Sequence, residues 1–224
     1  QRYGIVTSIY DGAGSTDDTE FALLTARTLI DCGGQLTVDA VVDACCTYVV
    51  EQGGVLARGG RPQYGAVANL QRGMRPPISG RDNVGNDDDG AAMRVAPIGI
   101  ICAGDPARAA ALAEIDAQIS HYADGVWAAQ AVAASVAVAM TGADSDAIVA
   151  AGLQQIPEKS WLGPARARAT AICDEEGTIE DAWERLHADL WTPTPSAGAE
   201  AIPQTHASFR LTRGEFRPGM FWAA

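Results

Sequence analysis

Apolar positions along the chain recur mostly at three- and four-residue spacing, and two-residue alternation is scarce. The spacing predicts helices over Asp17 to Ile30, Val38 to Glu51, Ala91 to Cys102, Pro106 to Ile119, Ala123 to Met140, Ser145 to Gln155, Ala165 to Cys173, Ile179 to Ala188 and Ala199 to Arg213. Thr37 with Asp39, and Thr178 with Glu180 and Asp181, have the chemistry of helix starts, and Pro106 suits a first turn. Cys32-Gly33-Gly34 and Gly53-Gly54 mark ends. The β-branched clusters are Gly4 to Tyr10 and Val41 to Val50, and the second has helical spacing. The chain therefore reads as all-α and, at 224 residues without internal repeats, as one domain over 1–224. Gly59 to Asn86 and Thr192 to Gly198 read as loops rich in glycine or proline, with a short helix at Tyr64 to Arg72 in the first.

Charge narrows the possible partners. The formal net charge is −12, and Lys159 is the one lysine beside fifteen arginines, so the surface repels a phosphate backbone and nucleic acid is not expected. Gly125 to Ala143 carries no charge over nearly the length of a membrane span, but its alanines gain little from lipid, and a central helix of a water-soluble domain is expected instead of a membrane partner. Cys32, Cys45, Cys46, Cys102 and Cys173 form no Cys-x-x-Cys pair and sit among three histidines, a pattern that suits small core residues in a reducing cytoplasm.

Three segments carry candidate chemistry. Gly12 to Glu20 gathers Thr16, Asp17 and Asp18 at a helix start, which suits either a hard divalent cation or a helix cap with dipole-matched acids. Asp82 to Arg94 is an acidic glycine loop running into an apolar helix, where small residues let a ligand approach the backbone, although its aspartates oppose an anion unless a cation intervenes and, taken alone, the segment reads better as a solvated loop. Ser120-His121-Tyr122-Ala123-Asp124 opens the alanine-rich helix; His121 and Asp124 can bind a sugar or base there, or serve the helix end alone.

In this order the three segments resemble the ADP-ribosylglycohydrolase family. Thr16-Asp17-Asp18-Thr19 is similar to its Thr-Asp-Asp-Thr motif, Asp89-Gly90-Ala91-Ala92-Met93-Arg94 to its Asn-Gly-Ala-Ala-Met-Arg motif, and Ser120-His121 with Asp124 to its Ser-His motif. The resemblance implies an orthogonal all-α bundle around two magnesium or manganese ions. It also implies hydrolysis of the glycosidic bond joining ADP-ribose to a protein side chain or small acceptor. It places Thr16, Asp17 and Asp18 as metal ligands, with Asp17 and Asp18 catalytic. It sets Asp89, Gly90, Ala91 and Met93 against the ribose and diphosphate, and lines the ADP-ribose cleft with His121 and Asp124.

Departures from the family pattern qualify that expectation. Asp89 stands where the family usually has asparagine, exchanging a donor for a charge. A glutamate motif upstream of Thr-Asp-Asp-Thr and a late Asp-x-Asp-Thr motif have no counterpart; Asp144-Ser145-Asp146-Ala147 imitates the latter without its threonine and at an early position. The expectation is a fragment of the family domain whose activity alone is open and whose helix over 123–140 is poorly covered, favouring marginal stability or self-association. A non-catalytic binding protein of this fold, and a hydrolase of another ribosyl compound, remain alternatives.

Overall fold

The computed structural model describes residues 16–54 and 59–223, and the β-branched run Gly4 to Tyr10 and the leading residues of the Gly12 to Glu20 segment lie outside them. Among the described residues the fold is all-α: α1 (Asp17–Asp31), α2 (Val38–Cys45), α3 (Arg61–Gln71), α4 (Ile78–Arg81), α5 (Ala96–Ile101), α6 (Pro106–Ala117), α7 (Asp124–Ala139), α8 (Ser145–Leu153), α9 (Leu162–Glu176), α10 (Ile179–Leu190), α11 (Gly198–Leu211) and α12 (Phe216–Ala223).

Local chemistry explains most boundaries. Thr16, Thr37, Asp105, Asp144 and Thr178 each accept a hydrogen bond from the third residue onward, satisfying a first-turn N–H that the helix leaves unpaired. The helix expected over Ala91 to Cys102 divides into a tight turn at Ala92–Arg94 and α5, because Pro97 has no N–H to return to Met93 and instead fits the first turn of a new helix. The helix expected over Val38 to Glu51 widens after Cys45 into a π-type turn, Cys46–Val50, where Thr47, Val49 and Val50 are β-branched. Helix α9 begins earlier than its own sequence indicates, since Asp124 Oδ1 accepts from Leu162 N at 2.9 Å and Ser160 Oγ from Gly163 N at 2.9 Å.

The region expected as a long loop, 59–86, is helical in α3 and α4 and is held by amide side chains. Asn69 Nδ2 donates to the Ser79 carbonyl at 2.9 Å and to that of Asp82 at 2.6 Å. Asn83 Nδ2 donates to the carbonyls of Pro62 and Ser120, each at 2.8 Å. Helix α12 was hidden from sequence reasoning by Pro218 and Gly219, both poor helix formers. Its Trp222 packs on Trp183 at 5.5 Å between ring centres.

Helix α7 is the axis of the packing, with α5, α6, α8 and α11 against it. Ala128, Ala129, Ala131, Ala133, Ala134 and Ala137 are all at 0% exposure, which corrects the expectation of a poorly covered helix. Methyl side chains let the neighbouring helices approach closely all round, which explains why this helix can be uncharged without being a membrane span. No helix among the described residues is long and apolar enough to cross a membrane. One core cluster joins α1, α2, α5, α6 and α7 through Leu29, Val41, Ile98, Ala113 and Ala133, and another joins α9 to α12 through Ile172, Leu186, Ala207 and Trp222. The described cysteines are unpaired, and burial pushes the Cys45 thiol up to about 12, which suits a core residue.

Helices α5 and α7 pack closely. A methyl group added at Gly99 would stand 2.5 Å from Val136 Cβ and 2.7 Å from the Ala133 carbonyl oxygen. Gly99→Ala is expected to lower the unfolding free energy by about 1–3 kcal/mol through overpacking, read from the shift of a urea denaturation midpoint. An unchanged midpoint would show that the two helices separate freely.

Candidate functional site

The site begins at the first turn of α1. Thr16 caps this helix, with its Oγ1 3.4 Å from Thr19 N, so the hydroxyl is already engaged with the backbone. Asp17 and Asp18 follow at the positive end of the helix dipole. Burial, and then repulsion from Asp18 and Glu20, raises the Asp17 carboxyl above the ordinary aspartate range despite that dipole. Two carboxylates and a hydroxyl are donor types that suit magnesium or manganese. Among the described residues, however, no three His, Cys, Asp or Glu side chains converge closely enough to enclose an ion. The donors fit a hard cation in kind and supply part of a coordination shell.

The second segment meets the first electrostatically. The Asp89 carboxyl is pushed up to about 6, first by burial and then by Asp88, Asp18 and Asp17. Acids seventy residues apart in sequence therefore share one field. Asp89 is partly exposed, while Gly90 and Ala91 are buried and Met93 is half-buried, so Asp89 supplies the accessible side chain of this turn. Its N–H donates to the Ser196 carbonyl at 2.9 Å, and Asp87 O accepts from Gly198 N at 3.0 Å, which attaches the acidic loop to the start of α11. Ser196 has a left-handed φ of 60°, a strained conformation for a non-glycine residue that this attachment helps to hold.

Behind the loop runs a buried polar chain. Asp88 Oδ1 accepts from Gly90 N at 2.8 Å and lies 2.7 Å from His121 Nε2. His121 Nδ1 is 2.7 Å from Ser120 Oγ, which accepts from Arg94 Nη1 at 3.1 Å. Arg94 Nε donates to Asp116 Oδ1 at 2.6 Å and Nη2 to the Asp116 carbonyl at 3.0 Å, while Thr25 of α1 donates to Asp116 Oδ2 at 3.1 Å. Burial lowers the His121 pKa, so the ring is neutral. Asp88 Oδ1 requires a donor, so the ring hydrogen sits on Nε2 and the Ser120 hydroxyl donates to Nδ1.

This geometry assigns the third segment a supporting place. His121 has 0% exposure and both ring nitrogens engaged, so it braces the acidic loop from behind instead of lining a cleft. Asp124 is spent on the Leu162 N–H and joins the start of α7 to α9. Ala123 between them has a φ of 46°, a second strained turn at this end of α7. A side chain at Gly125 would fall 2.3 Å from the Asn86 carbonyl oxygen and 2.7 Å from His121 Cδ2, so only glycine lets the loop lie against the helix. Asp144 caps α8 and Asp146 pairs with Arg210 at 2.7 Å, so both have local structural employment.

Sequence reasoning missed Arg94 and Asp116 as a buried pair, and Asp88 as the partner of His121. The available signal was Asp116 itself, an acid in register with the buried Ala109, Ala113 and Ala117 of α6. Two hollows flank the acids. Asp17 borders one of about 530 Å³ with Phe21, Leu24 and Tyr48, and Asp89 borders one of about 520 Å³ walled by Trp183, Trp191 and Trp222.

Two outcomes follow from these energetics. Asp116→Ala leaves Arg94 buried without its counter-charge and is expected to cost about 3–5 kcal/mol of stability, measured by denaturant unfolding. The Asp89 carboxyl binds its proton more tightly in the folded chain than its ordinary value of 3.8 allows when unfolded. Its ionisation therefore opposes folding above pH 6, and that penalty disappears as pH falls toward 4. In chelator, Asp89→Asn is expected to be more stable than the parent at pH 8 by on the order of 2 kcal/mol, with the two converging at pH 4. Equal stability at both pH values would show that the folded chain does not raise the Asp89 carboxyl.

No curated protein and no solved structure matches the chain. The sequence model of the family described as ADP-ribosylglycohydrolase matches residues 2–224. A match over almost the whole length agrees with the all-α fold and with the motif order of α1, the Asp89 turn and the Ser120-His121 corner. The chain belongs to the ADP-ribosylglycohydrolase family.

Proposed function

We propose that the chain is a metal-dependent hydrolase of the glycosidic bond between ADP-ribose and an acceptor group, carried by an ADP-ribosylated protein or a small ADP-ribosyl molecule. Family membership supports a glycosidic-bond hydrolase in general. The observation that carries the finer reading is the placing of Asp17 and Asp18 side by side at the start of α1, within electrostatic reach of Asp89, whose carboxyl is raised first by burial and then by these acids. Carboxylates so placed repel one another, and a bound cation would relieve that repulsion.

In this reading Thr16, Asp17 and Asp18 hold the magnesium or manganese, two ions when the coordination shell is complete. Such a cation, when bound, supplies positive charge that polarises the ribose hydroxyls and lowers the pKa of water. The chain's own residues do the rest. Asp17 and Asp18 orient the water that attacks the anomeric carbon and accept its proton, Asp89 adds negative charge where the sugar acquires oxocarbenium character, and the bond to the acceptor breaks with its electron pair and a proton passing to the acceptor. The Gly90 to Met93 turn lies along the ribose and diphosphate. His121, Asp88, Arg94 and Asp116 keep that turn in place.

Calorimetric titration of ADP-ribose tests the reading. Binding is expected with magnesium, and at least a tenfold loss of affinity is expected both in chelator and in Asp17→Asn. Binding that ignores both changes would remove the metal and Asp17 from the site.

A further inference from the structure

Between α8, α9 and α11 lies a cleft of about 280 Å³ to which none of the three motifs contributes a residue. Its apolar lining comes from Val149 and Leu153 of α8, Ala169 of α9, and Pro203 and Ala207 of α11. Such a lining favours the hydrocarbon part of a ligand, whose burial removes apolar surface from water.

Three charged residues share the lining: Asp146, Arg166 and Arg210. Arg210 is answered on both sides, by Asp146 and by Asp174, each at 2.7 Å. Arg166 is fixed differently. Its Nη1 donates to the Leu153 carbonyl at 2.8 Å and to the Ile156 carbonyl at 3.3 Å, which holds the guanidinium against the end of α8. Among the described arginines that are buried or half-buried, Arg94, Arg185 and Arg210 each pair with a carboxylate, and Arg166 pairs with none. Its Nε and Nη2 donate to no described residue.

The other polar groups of the cleft are neutral and occupied. His206 donates from Nδ1 to the Ile202 carbonyl at 2.9 Å, its Nε2 lies 3.0 Å from Ser135 Oγ, and burial lowers its pKa. Thr170 Oγ1 donates to the Arg166 carbonyl at 3.0 Å. Burial raises the Cys173 thiol pKa, which keeps it protonated. Asp146 is 73% exposed, so its charge is spent on Arg210 and screened by solvent.

A bare inorganic anion would meet Arg166 and leave the apolar lining uncovered. A hydrocarbon would cover the lining and leave Arg166 without a counter-charge, and a cation would face two guanidiniums. A carboxylate on an apolar body answers both features, because Nε and Nη2 form one edge of the guanidinium whose two donors match two carboxylate oxygens.

We propose that this cleft binds an organic monocarboxylate, with its head on Nε and Nη2 of Arg166 and its hydrocarbon on Val149, Leu153 and Ala207. The site is separate from the acids of α1 and does not rest on the hydrolase reading.

Hexanoate, titrated into the chain and followed by backbone amide chemical shifts, tests the proposal. It is compared with hexanamide, its uncharged counterpart of the same shape, and with inorganic phosphate, an anion without a body. Hexanoate is expected to bind at least about tenfold more tightly than either, with shifts centred on α8, α9 and α11. Arg166→Gln keeps an amide donor for the α8 carbonyls, and Ala150→Trp fills the cleft from an exposed position. Each should weaken hexanoate at least about fivefold, whereas Arg213→Gln, at an exposed arginine outside the cleft, should leave it unchanged. Should Arg166→Gln fail to fold, Ala150→Trp and the hexanamide comparison still decide. Equal affinity for hexanoate and hexanamide would remove the charge pairing, and phosphate binding as tightly as hexanoate would remove the apolar lining; either overturns the proposal. So does an absence of binding, a folded Arg166→Gln that binds hexanoate like the parent, or a response centred on α1, where the ligand would sit by Arg27 instead.

Discussion

The buried pair of Arg94 and Asp116 is the constraint on which the site depends. Two charges removed from water are tolerable only when nearly every donor and acceptor is used, because desolvation otherwise exceeds their attraction. Arg94 meets that condition by spreading its donors over Asp116, Ser120 and the Gly90 carbonyl, and Asp116 by accepting from Thr25 as well. Each partner comes from a different stretch of chain: α1, the Asp89 turn, the end of α6 and the corner before α7. Satisfying one guanidinium therefore sets the relative placement of the three segments that carry the candidate chemistry.

Alanine packing in α7 makes this placement possible at a modest chain length. A helix of methyl groups allows α5, α6, α8 and α11 to stand close, so short helices can share one axis without large side chains to fill gaps. The polar residues of the candidate site stand at one end of α7, where Ala123 turns through a strained φ and Asp124 reaches across to α9. The core supplies rigidity, and the corner at its end carries the machinery.

Much of the fold was legible because helix starts are written locally. Thr16, Thr37, Asp105, Asp144 and Thr178 each act within four residues of themselves, which a sequence reader can see. What escaped was action at a distance. The cap of α9 comes from Asp124, the amides that make 59–86 an ordered pair of helices reach across loops, and Asp116 finds Arg94 over twenty-two residues. The candidate site divides in the same way. Thr16, Asp17 and Asp18 announce themselves by residue type at a helix start, and Asp89 by its motif. The burial of His121, in contrast, depends on Asp88 and Ser120 closing around it, and the tryptophan wall is assembled from α10, α12 and the turn after α10.

The buried chain from Arg94 to Asp88 has a direction: each step hands a hydrogen toward the acidic loop. Its inner end is closed, because a guanidinium in a protein does not give up its proton. Protons exchanged at Asp17, Asp18 or Asp89 therefore come from solvent or from whatever occupies the clefts, so the charge state of the acids follows the ligand while Arg94 keeps its own.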